Sequence, residues 1–164
     1  MNVLTQATEA DAEGVAALRT AAALDLMTRY GKGHWCSPFS VGAALLSMKR
    51  GRVYVAKRGD GIRATLTLSS RKPWAIDRSY FTPCPKPLYL TGMAVDPSMQ
   101  RRGVGRSCVE EVVEFARAWP GDSICLDAYD ATAGAGGFYA ACGFREVGKV
   151  VYRRVPLIYF ELIL

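Results

Sequence analysis

The chain has 164 residues, 50% of them apolar and 22% charged, which fits one folded domain with a real core and excludes a disordered chain. No apolar run approaches the ~20 residues of a membrane span, and the opening MNVLTQATEADAEG lacks the basic-then-apolar pattern of a secretory leader, so a cytoplasmic protein is expected. The formal charge of +6 is compatible with nucleic acid, phosphorylated ligands or plain solubility, and its placement matters more than its sum.

In chain order, NVLTQAT (2–8) reads as a short strand. Thr8 opens TEAD, a capping signal, and Val15, Leu18, Ala22 and Leu26 then follow at helical spacing, predicting a helix over 9–29 that ends at YGKGHW. Residues 35–50 read either as a second helix or as a loop with a helical turn. The run 52–70 predicts two strands, 52–58 and 62–70, with the hairpin turn at Asp60-Gly61. RKPWAIDRSYFTPCPKP (71–87) carries four prolines and forms a long connection of the kind that is often functional.

LYLTGMAV (88–95) is apolar enough for a central strand. A helix is expected over 104–118, with Val104, Cys108, Val112, Phe115 and Trp119 on one stripe, and Pro120-Gly121 ends it. SICLDAY (123–129) reads as a strand. ATAGAGGFYAAC (131–142) reads as a weak helix: Gly134, Gly136 and Gly137 each cost about 1 kcal/mol relative to Ala. Gly143 suits its C-cap. The remainder reads as two strands turning near Arg153-Arg154. The order describes one mixed α/β domain over 1–164. The closing PLIYFELIL is apolar on both faces, so it is either a central strand or an exposed edge that would favour a homodimer.

Cysteines at 36, 84, 108, 125 and 142 are odd in number and form no CxxC pair, which reads as free thiols in a reducing compartment. With His34 the single histidine, a metal site or a Cys/His pair has little to work with, and no metal is expected.

Glycine and positive charge coincide at one junction, DPSMQRRGVGRS (96–107). A helix start offers unpaired N–H groups and a partial positive charge. Gly103 and Gly105 let the backbone approach a ligand closely, and Arg101, Arg102 and Arg106 add charge, so the junction suits a phosphate. No GxxxxGK[ST] string is present, and Cys108 stands where a dinucleotide fingerprint needs its third glycine. Glu110, Glu111 and Glu114 on the following helix argue against nucleic acid.

QRRGVG (100–105) matches the Q/R-x-x-G-x-G/A signature of the GNAT superfamily of N-acetyltransferases. MAVDP (93–97) resembles the end of that family's fourth strand, and FYAACGF (138–144) resembles its FYxxxGF segment. The order of elements is similar too, so the resemblance covers nearly the whole chain. It implies a mostly antiparallel central sheet that splays between strands four and five and is flanked by helices. It implies acetyl-CoA as acetyl donor, with contacts from Met93, Ala94, Val95, Gln100, Arg101, Arg102, Gly103, Val104, Gly105, Arg106, Thr132 and Phe138. Thr132 stands where many members carry asparagine. Tyr139 matches the tyrosine that protonates the departing thiolate.

A phenol beside a breaking C–S bond suits a thiolate whose pKa is about 8.5. A base is less evident: residues 88–95 contain no Asp or Glu, leaving Asp77, His34 or water leading to solvent. The resemblance places the acceptor, a small-molecule or peptide amine, near His34, Trp35, Trp74, Asp77 and Tyr80. The expected activity is N-acetyl transfer by direct attack in a ternary complex. A CoA-binding sensor without turnover and a basic nucleic-acid-binding module are the rival readings.

Overall fold

A computed structural model describes residues 4–164. The element order is β1 (Leu4–Gln6), α1 (Ala12–Tyr30), α2 (Val41–Arg50), β2 (Arg52–Arg58), β3 (Gly61–Ser69), β4 (Pro87–Val95), α3 (Val104–Ala118), β5 (Ser123–Tyr129), α4 (Gly136–Ala141), β6 (Arg145–Tyr152) and β7 (Val155–Ile163). Asn2 and Val3, assigned to the first strand by sequence, lie outside the described residues. The Thr8 N–H donates to the Asp11 carboxylate at 2.9 Å, the backward half of the expected capping box. Residues 35–50 resolve into a loop and a helix, because the Ser40 hydroxyl accepts from the Ala43 N–H at 3.1 Å and caps α2.

All seven strands form one sheet in the order β1-β2-β3-β4-β5-β7-β6. Every neighbouring pair is antiparallel except β4 and β5. Side chains alternate across the sheet. Tyr54, Leu66, Leu68, Leu88, Leu90, Ile124, Leu126 and Phe160 face α3 and α4, where Val104, Cys108, Val112 and Tyr139 meet them. Val53 and Val55 face α1 and α2 through Val15 and Ala44. Further along that second face, Ile76 and Phe81 of the long connection cover Tyr89, Cys125 and Tyr159. Leu66, Leu68, Ile124 and Leu126 are at most 1% exposed, and each such burial contributes about 1.5–3 kcal/mol.

The parallel pair is short. β4 and β5 are in register only at Pro87–Ser123, Leu88–Ile124 and Tyr89–Cys125. From Leu90 to Val95, β4 has no partner on that side, so the sheet splits toward the C-terminal ends of both strands. The sheet is thus mostly antiparallel, splayed between its fourth and fifth strands and flanked by helices, as the sequence implied.

One expectation changes and one open alternative is settled. The helix over 131–142 is confined to Gly136–Ala141, and Ala135 stands at its N-cap with no side-chain bond. Residues 131–134 form a turn instead, closed by the Gly134 N–H on the Ala131 carbonyl at 2.8 Å. The turn is packed so tightly that a Cβ at Gly134 would run into the Tyr129 carbonyl oxygen. The closing strand β7 is not an edge, because it lies between β5 and β6. Its two apolar faces therefore belong to the central-strand alternative, and the exposed edge that motivated a homodimer is absent there. Among the described residues no helix is long and apolar enough to cross a membrane.

Candidate active site

The anion-binding junction forms at the end of β4. Asp96 accepts from the Ser98 N–H at 2.9 Å and pairs with Arg63 at 2.7 Å, which fixes the exit from the strand. Those Ser98 and Arg63 hydrogen bonds hold its carboxyl below the usual range. Gln100 donates to the Val95 carbonyl at 3.2 Å and accepts from Arg29 at 3.2 Å, tying the loop to both β4 and α1. Arg101 has φ 59 and Gly103 has φ 80, so two of three successive residues lie in the left-handed region. Gly103 is the N-cap of α3, without a side-chain cap.

The first amide bonded within the helix is that of Ser107, which donates to the Gly103 carbonyl at 3.0 Å. The N–H groups of Val104, Gly105 and Arg106 are left for a ligand. A Cβ at Gly105 would sit 3.2 Å from the Phe138 ring, so the glycine allows Phe138 to close against the start of α3. Arg106 pairs with Glu110 at 3.3 Å. Arg101 and Arg102 are exposed and form no salt bridge among the described residues.

Beside this junction β4 carries a bulge. Thr65 faces Ala94 while Thr67 faces Thr91, so one extra residue is inserted between them, and Gly92 takes φ 61. The bulge flips the alternation. Met93 and Val95 turn to the α3 face, against the core that holds Phe138.

Two titratable groups flank the split. Tyr139 comes from α4 and packs edge-to-face on Phe138 and Phe144, with ring centres 5.2 and 5.7 Å away. It is 8% exposed. Its hydroxyl has no hydrogen-bond partner among the described residues. Burial first, and then the charge of Asp127, raises its pKa, so the phenol stays protonated. Asp127 lies on β5 opposite Tyr159. Its neighbours Leu126 and Ala128 face α3 and α4, so Asp127 points to the α1 face. Burial raises its pKa above the usual carboxylate value. Sequence reasoning missed it; the available signal was a lone carboxylate inside an apolar strand.

The acceptor candidates divide. The His34 ring stacks on Tyr129 at 6.4 Å, the Trp35 ring meets Tyr129 edge-on at 5.9 Å, and Tyr129 donates to the His34 carbonyl at 3.1 Å. Burial first, and then the charge of Asp127, raises the Tyr129 pKa. Trp74 is 86% exposed, and no aromatic contact among the described residues joins it to His34, Trp35 or Tyr129. Tyr80 packs on Tyr159 and on Gly148. Asp77 is engaged as a cap: it accepts from the Ser79 N–H at 2.9 Å and the Ser79 hydroxyl at 2.7 Å, which lowers its pKa. Thr132 lines a groove of about 540 Å³ between α4 and β7, which has no lining residue from the 100–106 loop.

Buried Cys108 and Cys125 are both pushed up to about 11 by burial, and Cys142 is raised as well. None of the three is poised as a thiolate nucleophile.

A seven-stranded sheet split at its centre, with a bare helix start on one rim and a buried, unpartnered phenol on the α3 face, is the architecture of acyl-CoA-dependent N-acetyltransferases. The profile of the "Acetyltransferase (GNAT) family" matches residues 21–144. The chain belongs to that family of acyltransferases, whose acetyl donor is acetyl-CoA. An aminoglycoside N(6')-acetyltransferase type 1 of Stenotrophomonas maltophilia is 37% identical over 73 residues, a match spanning 42% of this chain and 45% of that protein. Among solved structures, a ribosomal-protein-alanine N-acetyltransferase from Brucella melitensis superposes with TM-score 0.73 at 18% identity, covering 99% of each chain. The yncA protein of Salmonella typhimurium, solved with its cofactor acetyl-CoA, gives TM-score 0.71 at 14% identity over 99% of this chain and 93% of that one.

Proposed function

We propose that this chain transfers the acetyl group of acetyl-CoA to a primary amine by direct attack in a ternary complex. The observation that carries the reading is the split in the sheet, bounded by Asp127 on one face and Tyr139 on the other. The residues fit the donor. Val104, Gly105 and Arg106 offer free amides to a pyrophosphate, with Arg101 and Arg102 supplying charge. The unpaired side of β4 around Met93, Ala94 and Val95 offers backbone to an extended chain, and Phe138 closes over Gly105.

Bound acetyl-CoA supplies the thioester. Asp127 takes the proton that an ammonium acceptor must lose, a role for which a raised carboxylate pKa is suited. Tyr139 keeps a proton at its hydroxyl, available to the sulfur as the C–S bond breaks. The raised thiol pKa values of Cys108 and Cys142 argue against a covalent acyl-enzyme. Asp127 also favours turnover over the sensor reading, which rested on the lack of a base. The reading is tested by incubating the protein with acetyl-CoA and a panel of amines and weighing the products. Amine-dependent gain of one acetyl group is expected. Acetyl-CoA binding without acetylated product would favour the sensor.

A further inference from the structure

On the α1 face of the split stands a charged side chain with no counter-charge. The Arg19 guanidinium lies 3.6 Å from the centre of the Phe39 ring, which it covers. Its Nη1 is 3.1 Å from where a Cβ on Gly92 would stand, so it rests against the β4 bulge. Arg63 and Arg145, elsewhere on the sheet, are paired with Asp96 and Glu161. Arg19 has neither a salt bridge nor a hydrogen bond among the described residues. Burial lowers its pKa, and Tyr129 is the group that opposes the shift. A half-buried cation without a partner is costly, and it gains most when an anion arrives.

The surroundings narrow that anion. Arg19 and Asp127 do not pair with each other among the described residues, and the charges of both act on Tyr129. Trp35 is fixed by its indole N–H on the Gly31 carbonyl at 3.2 Å and, with His34, adds an aromatic wall at Tyr129. A cation and a carboxylate that both act on Tyr129, and an aromatic wall packed on its ring, therefore gather around one residue.

We propose that Arg19 reads the acceptor, and that the acceptor is an α-amino acid with an apolar or aromatic side chain whose carboxylate pairs with the Arg19 guanidinium. This rests on the acetyltransferase reading above. The amine then lies toward Asp127 and the side chain against Trp35 and His34. In the transfer the ammonium gives one proton to Asp127, the N–C bond to the acetyl carbon forms, the C–S bond breaks, the thiolate takes its proton from Tyr139, the second proton leaving the nitrogen restores the phenol, and Asp127 releases its proton to solvent. The product is an N-acetyl amino acid and free CoA. A polycationic aminoglycoside is a poor fit, because Arg19 repels it.

The test compares kcat and KM for L-phenylalanine, L-leucine, L-methionine, phenethylamine and kanamycin, using wild type, Arg19→Met and Arg19→Lys, with acetyl-CoA binding measured by calorimetry on each. Wild type is expected to prefer L-phenylalanine over phenethylamine on the order of 100-fold, mainly through KM. Arg19→Met is expected to erase that preference with acetyl-CoA affinity unchanged, and Arg19→Lys to keep part of it. Equal use of phenethylamine and L-phenylalanine, or a preference that survives Arg19→Met, would overturn the proposal. So would a loss of kcat shared by all acceptors in Arg19→Met, which would assign the cation to the thioester. Acetyl-CoA binding with none of the three amino acids acetylated would overturn the proposal while the acetyltransferase reading stands. Absence of acetyl-CoA binding by wild type would overturn both.

Discussion

The Asp127 carboxylate adds its charge to the burial that keeps the Tyr139 hydroxyl protonated, although the two side chains reach the split from opposite faces of the sheet. One group is thereby disposed to take a proton and the other to hold one, and neither is tied up by a hydrogen bond to a neighbouring side chain.

Replacing Tyr139 by Phe keeps the ring that packs on Phe138 and Phe144 and removes only the hydroxyl. Turnover is expected to fall ~100-fold or more, the usual contribution of a positioned general acid. The KM for acetyl-CoA should hold. Steady-state kinetics decide, and full activity in the variant would remove the phenol from the chemistry.

Asp127→Asn is expected to be less active and more stable. The folded-state pKa of Asp127 lies above its unfolded value of 3.8 because burial disfavours the charge. Between those two values the native state binds more protons, so stability falls as pH rises through that window. Asn cannot ionise and escapes the penalty. The variant should melt higher than wild type at pH 7, and the gap should close as pH drops below 3.8. In wild type, kcat/KM should decline on the acid side as Asp127 protonates, and that limb should vanish in Asp127→Asn. A variant that melts lower than wild type at pH 7 would contradict the burial argument.

Arg101→Ala with Arg102→Ala should weaken acetyl-CoA binding about tenfold, mostly at low salt, because both side chains are exposed and their contribution is screened. Calorimetry at two ionic strengths measures this. Affinity that is unchanged in low salt would take these arginines out of the donor site.

The β6–β7 hairpin turns on Arg153 and Arg154, both with positive φ, at 48° and 70°. An L-residue there costs roughly 1–2 kcal/mol, and a two-residue turn of this kind favours Asn-Gly. Arg153→Asn with Arg154→Gly is expected to raise the melting temperature by several degrees without altering turnover. Thermal denaturation checks it, and a lower melting point would show that the arginines hold the turn by contacts of their own.

The sequence shows the outline of the fold clearly, because most of its elements carry their own punctuation. Gly103 and Gly105 mark the start of α3, Pro120-Gly121 its end, and Asp60-Gly61 the first hairpin. What stayed hidden depends on tertiary neighbours. The turn at 131–134 follows from the Gly134 approach to Tyr129, which no local pattern encodes. The position of β7 inside the sheet follows from pairing order. Asp127 and Arg19 acquire meaning only through burial and the company of Tyr129, which lies 110 positions from Arg19 along the chain. Asp77 is a candidate base in the sequence and a cap in the fold.

The central claim is acetyl transfer at the split between β4 and β5. The most direct measurement is release of free CoA thiol on adding an amine to the protein and acetyl-CoA, in wild type and in Asp127→Asn. The account predicts amine-dependent release, one thiol per acetylated amine, that collapses in the variant while acetyl-CoA still binds. Undiminished release in the variant would contradict the assignment of the base, and no release by a wild type that binds acetyl-CoA would contradict transfer itself.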